Sequence, residues 1–316
     1  MTPLYLTESE VDSLVGIDDA ISAVQGVGES MARGETVFNP RTRLRMKNGF
    51  LHLMPASLET EDLFGYKAYT SFKGAARFIV FLFSGGSGEL LALIEGDKLG
   101  QLRTGAASAV ATRILSRTNS SSLGIIGSGY QAESQLSGIC AVRKIKGVKI
   151  YSRNPDHASS FCERVARAVN VPLRAVSEPG EAASSDIVVT VTNSNSPVLN
   201  GAMLRSGAHV NAVGGNMLIR KELDESVVER AQTIVIDSRE QGKVECGDFL
   251  GPVEKGKLHW ENILEFSDLF NGRAIRKDDD SVTLFKSQGI APWDVAIAAV
   301  VYRRALEEKR GKRLDL

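Results

Sequence analysis

The chain has no long apolar segment, no net charge and few cysteines, and each absence removes a class of function. Its longest purely apolar run, "FIVFLF" (78–83), falls far short of the roughly 20 residues that span a bilayer, so no membrane partner is expected. Lys plus Arg and Asp plus Glu both number 38, so no long-range field gathers nucleic acid or anionic lipid, and a small-molecule partner is favoured. Cys140, Cys162 and Cys246 stand far apart with no Cys-x-x-Cys pair. That spacing predicts free thiols, a reducing compartment and no metal site. The opening "MTPLYLTESEVDSLVG" carries acids where a secretory leader has basic residues, which makes a cytoplasmic protein the expectation. No repeat or low-complexity stretch is visible. What is present is an ordinary globular composition, 43% hydrophobic and 24% charged over 316 residues, long enough for two domains.

Ile21, Val24, Val27 and Met31 recur at helical spacing behind Asp18 and Asp19 and ahead of Gly34, which predicts an amphipathic helix over 18–33. "GFLHLMPAS", "FGYKAYTSF" and "RFIVFLFSGGSGELLALIEG" read as strands, the last as a hairpin. "RTGAASAVATRILS" (103–116) is rich in small residues and suits a tightly packed helix. After the polar "RTNSSS" the pattern becomes strand–helix alternation, the mark of a parallel sheet. It runs through "LGIIG", a helix from about 130, "GVKIYSR" and a helix that Asn154 caps and Pro155 opens. "DIVVTVTN", "AHVNAVGG" and "QTIVIDS" read as buried strands of the same sheet. The last helix (291–311) is apolar nearly all round in its first half and should be buried by returning to the first domain.

The loop Gly127-x-Gly129-x-x-Ala132 follows a strand and precedes a helix, the setting a dinucleotide fingerprint requires. Gly127 permits the turn, Gly129 lets backbone approach a pyrophosphate, and the anion sits on amides at the helix N-terminus. At the end of the second strand, "IYSRNP" offers Ser152 and Arg153 where an NAD enzyme usually places a carboxylate for the ribose hydroxyls. A planar cation suits a 2′-phosphate, so NADP is expected, with NAD as the alternative.

Seven segments, in order, resemble the ornithine cyclodeaminase and μ-crystallin family from about residue 16 to the end. They are "PRT" (40–42), "LMPAS" (53–57), "GYK" (65–67), "LRTGAASAVA" (102–111), "IGSGYQAESQ" (126–135), "HVNAVGGN" with "KELD" (209–224), and "FKSQGIAPWDVAIA" (285–298). The resemblance implies an α/β fold in which a Rossmann dinucleotide-binding domain (118–289) joins a smaller α/β substrate-binding and dimerisation domain (1–117 and 290–316), as a homodimer. It implies that Arg41 and Arg103 hold a substrate carboxylate and that Lys67 lies near the reacting nitrogen or carboxylate. It also sets Tyr130, Gln131, Thr192, Val213, Gly214, Gly215, Arg220 and Ser287 at positions used for the dinucleotide.

Two departures bear on the reaction. Ornithine cyclodeaminases carry an aspartate directly after the "VGG" turn as their acid–base group, and this chain has Asn216, whose amide has no carboxylate to take up a proton. Where they have an acid beside the substrate, this chain has His52, readable as a proton donor to an imine or as a core residue. The expectation is an NAD(P)-dependent oxidoreductase reducing an α-imino acid, a cyclic ketimine such as pyrroline-2-carboxylate or the imine of pyruvate and ammonia. The alternatives are a cyclodeaminase-type lyase or hydroxyproline dehydratase, and an NADPH-dependent binding protein like μ-crystallin.

Overall fold

The computed structural model describes residues 2–72 and 75–315. Within them the chain divides into two units, one of residues 1–103 and 290–316 and the other of residues 104–289. The division falls inside the small-residue helix, after Arg103, and not in the polar loop that follows it near 117.

The first unit is built on an eight-stranded sheet. Its strands are β1 (Leu4–Leu6), β2 (Thr36–Phe38), β3 (Thr42–Met46), β4 (Gly49–Leu58), β5 (Leu63–Phe72), β6 (Ala75–Ser84) and β7 (Leu90–Glu95), with Lys312–Arg313 at one edge. The run β4–β5–β6–β7 is an antiparallel meander, and β6 with β7 forms the expected hairpin. Alternation along β4 buries His52, Met54, Ala56 and Leu58 on one face, as the two-residue period of a strand dictates. Across the ladder His52 opposes Tyr69, Met54 opposes Lys67, and Lys67 opposes Val80, so these side chains share that face.

Helix α1 (Glu8–Leu14) opens with a Thr7–Glu10 capping box, and α2 (Ile17–Ala32) follows with Asp19 accepting from the Gly16 N–H. The C-terminal helix (Ala291–Glu307) belongs to this unit and packs on α2, β4 and β5. Its first three turns are buried almost all round, as their apolar sequence requires.

Helix α3 (Asp97–Leu115) starts six residues before the sequence pattern suggested, and its second half belongs to the other unit. There the small residues serve close packing. A Cβ on Gly105 would lie 2.2 Å from the Ser134 carbonyl oxygen, and one on Gly138 would lie 2.7 Å from the Gly105 carbonyl oxygen.

The second unit carries an all-parallel sheet of β8 (Ser122–Ile126), β9 (Gly147–Tyr151), β10 (Leu173–Val176), β11 (Ile187–Thr190), β12 (His209–Ala212), β13 (Ala231–Ile236), β14 (Leu264–Glu265) and β15 (Val282–Lys286). The order is β10-β9-β8-β11-β12-β15-β13-β14. Its first five strands follow the 3-2-1-4-5 order of a doubly wound sheet, with the switch point between β8 and β11. Helices α4 (Tyr130–Val142), α5 (Pro155–Val165), α6 (Pro179–Ala183), α7 (Glu225–Arg230), α8 (Arg239–Glu245) and α9 (Gly247–Glu254) fill the connections. Asn154 caps α5 as expected, its Oδ1 accepting from the Asp156 N–H at 2.9 Å. Two apolar clusters, around Val188, Val210 and Phe249 and around Ile125, Ile150 and Phe161, form the core.

Candidate functional site

On the buried face of the first sheet, a lysine occupies a position where the strand period calls for an apolar residue. Lys67 is 3% exposed, and its Nζ donates to Asp294 Oδ1 at 3.0 Å. Asp294 is fully buried in the first turn of the C-terminal helix. The same oxygen lies 3.4 Å from Arg103 Nε, so one carboxylate serves two cations. The Lys67 ammonium also lies over the Phe78 ring at 4.9 Å and the Tyr69 ring at 5.9 Å, within cation–π reach. A Cβ on Gly100 of α3 would stand 2.8 Å from Nζ, so the missing side chain there leaves room for the ammonium. Arg41 is buried just ahead of β3, with Nε 3.2 Å from Met54 Sδ. It and Arg103 are close enough to act on Lys67. Burial, Arg103 and Arg41 lower the lysine pKa against the opposing pull of Asp294.

His52 belongs to this face. Its Nε2 is 2.8 Å from Ser71 Oγ, and its ring stacks on Tyr69 with centroids 4.0 Å apart. Burial, with Arg43 and Arg41 nearby, pushes its pKa down to about 4. The imidazole is therefore neutral at pH 7. Thus Arg41, His52, Lys67 and Arg103 converge. Asp294, which pairs with Lys67 and Arg103, was not singled out from the sequence. The signal was there: an aspartate inside an apolar helix that is buried all round must be paired.

In the second unit a cleft of about 450 Å³ opens at the C-terminal ends of β8, β9, β11 and β12, where doubly wound sheets bind ligands. Gly127, Gly129, Tyr130, Gln131, Ser152, Arg153, Thr192, Val213 and Gly214 all line it. Gly127 has φ +113° and a Cβ there would meet the Val191 carbonyl oxygen at 2.5 Å, so glycine is required on two counts. Gly129 differs, since a Cβ there would meet nothing within 4 Å. The space beside it is open, and Gly129 caps α4 without a side-chain acceptor. In general the first N–H groups of a helix point out of its N-terminal end; here the Ala132 N–H donates to the Gly129 carbonyl at 3.0 Å. This is the cradle a pyrophosphate fits. Among the described residues no Asp or Glu lines the cleft, while Arg153 and His157 do.

Gly215, Arg220 and Ser287 are absent from the lining. Arg220 Nη1 donates to the Asn193 carbonyl and to Asn195 Oδ1, while the buried Ser287 donates to Asp237 Oδ2 at 3.1 Å. Asn216 follows the Gly214–Gly215 turn, half-buried and also outside the lining. Among the described residues no group of His, Cys, Asp and Glu is arranged to hold a metal, and no helix is long and apolar enough to cross a membrane.

A parallel sheet in this order, with a glycine turn after its first strand and a cleft at its switch point, defines a protein of the Rossmann type. The chain belongs to the ornithine cyclodeaminase/mu-crystallin family, which it matches over residues 1–309. It is 33% identical to a Delta(1)-pyrroline-2-carboxylate reductase of Bacillus cereus, with 99% of each chain covered. Two solved structures superpose over nearly its whole length. An archaeal alanine dehydrogenase dimer with bound NAD is 32% identical, with a TM-score of 0.94 and all of both chains covered. The Thermococcus litoralis Delta(1)-pyrroline-2-carboxylate reductase, in complex with NADH and L-proline, is 31% identical, with a TM-score of 0.93 and 98% and 100% covered.

Proposed function

We propose that this chain is an NAD(P)H-dependent reductase of α-imino carboxylates, with a cyclic ketimine such as pyrroline-2-carboxylate as the leading substrate and the imine of pyruvate and ammonia as the second. The observation that carries the reading is the buried pairing of Lys67 and Arg103 with Asp294, with Arg41 close enough to act on the lysine. Two guanidiniums and an ammonium in a dry site favour a small anion, and Arg41 and Arg103 bind its carboxylate and fix the α-carbon. Lys67 hydrogen-bonds the imine nitrogen and delivers the proton that reduction places there. Its lowered pKa makes it a better acid near neutral pH than a solvated lysine. Asp294 holds the ammonium in place. The dinucleotide, when bound, supplies the hydride to the imine carbon.

The cleft around Gly127 and Gly129 holds the dinucleotide, and Ser152 and Arg153 receive a 2′-phosphate, so NADPH is preferred over NADH. With Asn216 after the glycine turn, no carboxylate stands there to run a deamination cycle, which favours net reduction over the lyase alternatives. The chain works as a homodimer through the first unit's sheet, where Val37, Leu44, Met46, Phe64 and Phe72 are exposed. Sedimentation at twice the chain mass of 34.1 kDa checks this.

The test is oxidation of NADPH, with NADH alongside, over pyrroline-2-carboxylate, piperideine-2-carboxylate and pyruvate with ammonia. Turnover of at least one substrate is expected, lost in Arg103→Ala while the fold survives. Tight nucleotide binding with no turnover across the panel would favour a binding protein and sink the enzymatic reading.

A further inference from the structure

Below the cleft lies a second buried charge cluster that no part of the reaction uses. Glu222 is fully buried and lines none of the cleft. Its Oε1 accepts from the Thr192 N–H at 2.6 Å and the Thr192 hydroxyl at 2.9 Å, and its Oε2 accepts from the Gly214 N–H at 2.7 Å. Thr192 and Gly214 sit just past the ends of the adjacent strands β11 and β12, and both line the cleft. One carboxylate therefore spans two strand ends. Gly214 is shaped to this arrangement, since a Cβ there would stand 2.1 Å from the Thr192 carbonyl oxygen and 2.5 Å from Glu222 Oε1.

The carboxylate is anchored from behind. Asp248 Oδ1 accepts from the N–H groups of Glu222 and Leu223 at 2.7 and 2.9 Å. Lys286 Nζ, at the end of β15, pairs with Asp248 Oδ2 at 2.9 Å and reaches the Gly215 carbonyl oxygen at 3.5 Å. The Gly214–Gly215 turn is thus held at its N–H by Glu222 and, at the long end of hydrogen-bond range, at a carbonyl by Lys286. Burial pushes the Glu222 pKa up while Lys286 and the Thr192 and Gly214 N–H groups favour its ionised form; three donors converging on two oxygens call for an acceptor-only group, which a carboxylate is and an amide is not.

We propose that Glu222 is a positioning residue for the dinucleotide, setting the spacing of Thr192 and Gly214 at the cleft. This rests on the reading of the cleft as a nicotinamide-dinucleotide site. The test is Glu222→Gln, whose NH₂ faces an N–H donor and pushes a strand end away. Dissociation constants for NADPH and NADH are measured by nucleotide fluorescence, and the imine KM at saturating nucleotide.

The expected result is about tenfold weaker nucleotide binding, as the loss of a charge-assisted hydrogen bond gives, with the imine KM within about twofold. Asp248→Asn, outside the cleft lining, should give the same split at smaller size, and it carries the test alone if Glu222→Gln does not fold. Unchanged nucleotide binding in the folded variants overturns the proposal. A parallel loss of nucleotide affinity, imine affinity and melting temperature also overturns it, because that is what a merely structural residue would give. Wild-type protein that binds neither nucleotide would overturn the functional reading itself, a result visible before any variant is made.

Discussion

Among the described residues two lysines are buried, one in each unit, and their surroundings push them in opposite directions. Lys67 shares a single carboxylate with Arg103 while Arg41 lies nearby, and its pKa is lowered. Lys286 faces Asp248 and Glu222, and its pKa is raised despite equal burial. Burial alone disfavours both ammonium groups, so the balance of neighbouring charges decides the sign. A lysine outnumbered by carboxylates is a fixed strut. One that shares its carboxylate with a guanidinium holds its proton loosely, which suits the proton-donor role proposed for Lys67.

Substituting each lysine by methionine is the strongest way to break the comparison. Lys67→Met should lower kcat/KM by roughly 10²–10⁴, the usual weight of a positioned acid, while Asp294 keeps Arg103 as partner and the melting temperature shifts by only a few degrees. Lys286→Met should do the reverse. It leaves two buried carboxylates without their cation, a loss on the order of 3–5 kcal/mol, seen as a large fall in denaturant midpoint. If Lys67→Met unfolded the protein and Lys286→Met did not, the roles would be exchanged and the argument would fail.

The pH profile sharpens the same contrast. In its proposed role Lys67 acts in its protonated form, and its pKa is lowered from 10.5, so kcat/KM should be full at lower pH and fall as pH rises through that lowered value. Lys67→Arg should remove that limb. In stability the signs oppose. Below 10.5 the unfolded chain holds the Lys67 proton more tightly than the folded one, so this lysine's contribution improves as pH rises through its folded pKa toward 10.5. Lys286, with a raised pKa, contributes stability that is present below 10.5 and lost as pH rises through its folded value. His52, at about 4, should add no titration between pH 6 and 8, and a bell centred there would contradict its neutrality.

The two units also differed in how far they could be read in advance. The glycine turn, its flanking strand and helix, and the Asn154 cap are local, written within about 30 residues, and they emerged where expected. The charge clusters were not legible in the same way, because their members are far apart in the chain. Lys67 and Asp294 are 227 residues apart, and only the family motifs brought Arg41, Lys67 and Arg103 together on paper. Glu222 and Lys286 lie inside the family segments "KELD" and "FKSQGIAPWDVAIA", and nothing in either segment marks them as partners of one cluster. Strand β15 inserts between β12 and β13, an order that spacing along the chain does not encode. Strands β2 and β3 escaped notice because they bury little: Thr42–Met46 is exposed at four of its five positions, so no apolar alternation marks it.

The smallest expected effect concerns the far end of the cleft. Arg153 is exposed, so its attraction for a 2′-phosphate is screened by water and salt, unlike the buried pairs discussed above. Arg153→Ala should weaken NADPH about tenfold at low ionic strength, with a smaller loss in 0.5 M salt, while NADH binding stays within about twofold. Loss of NADPH affinity without loss of NADH affinity would assign the guanidinium to the phosphate. Equal weakening of both would instead make Arg153 a packing group at the end of β9, and the preference between cofactors would then rest on Ser152 and on the absence of a carboxylate from the cleft lining.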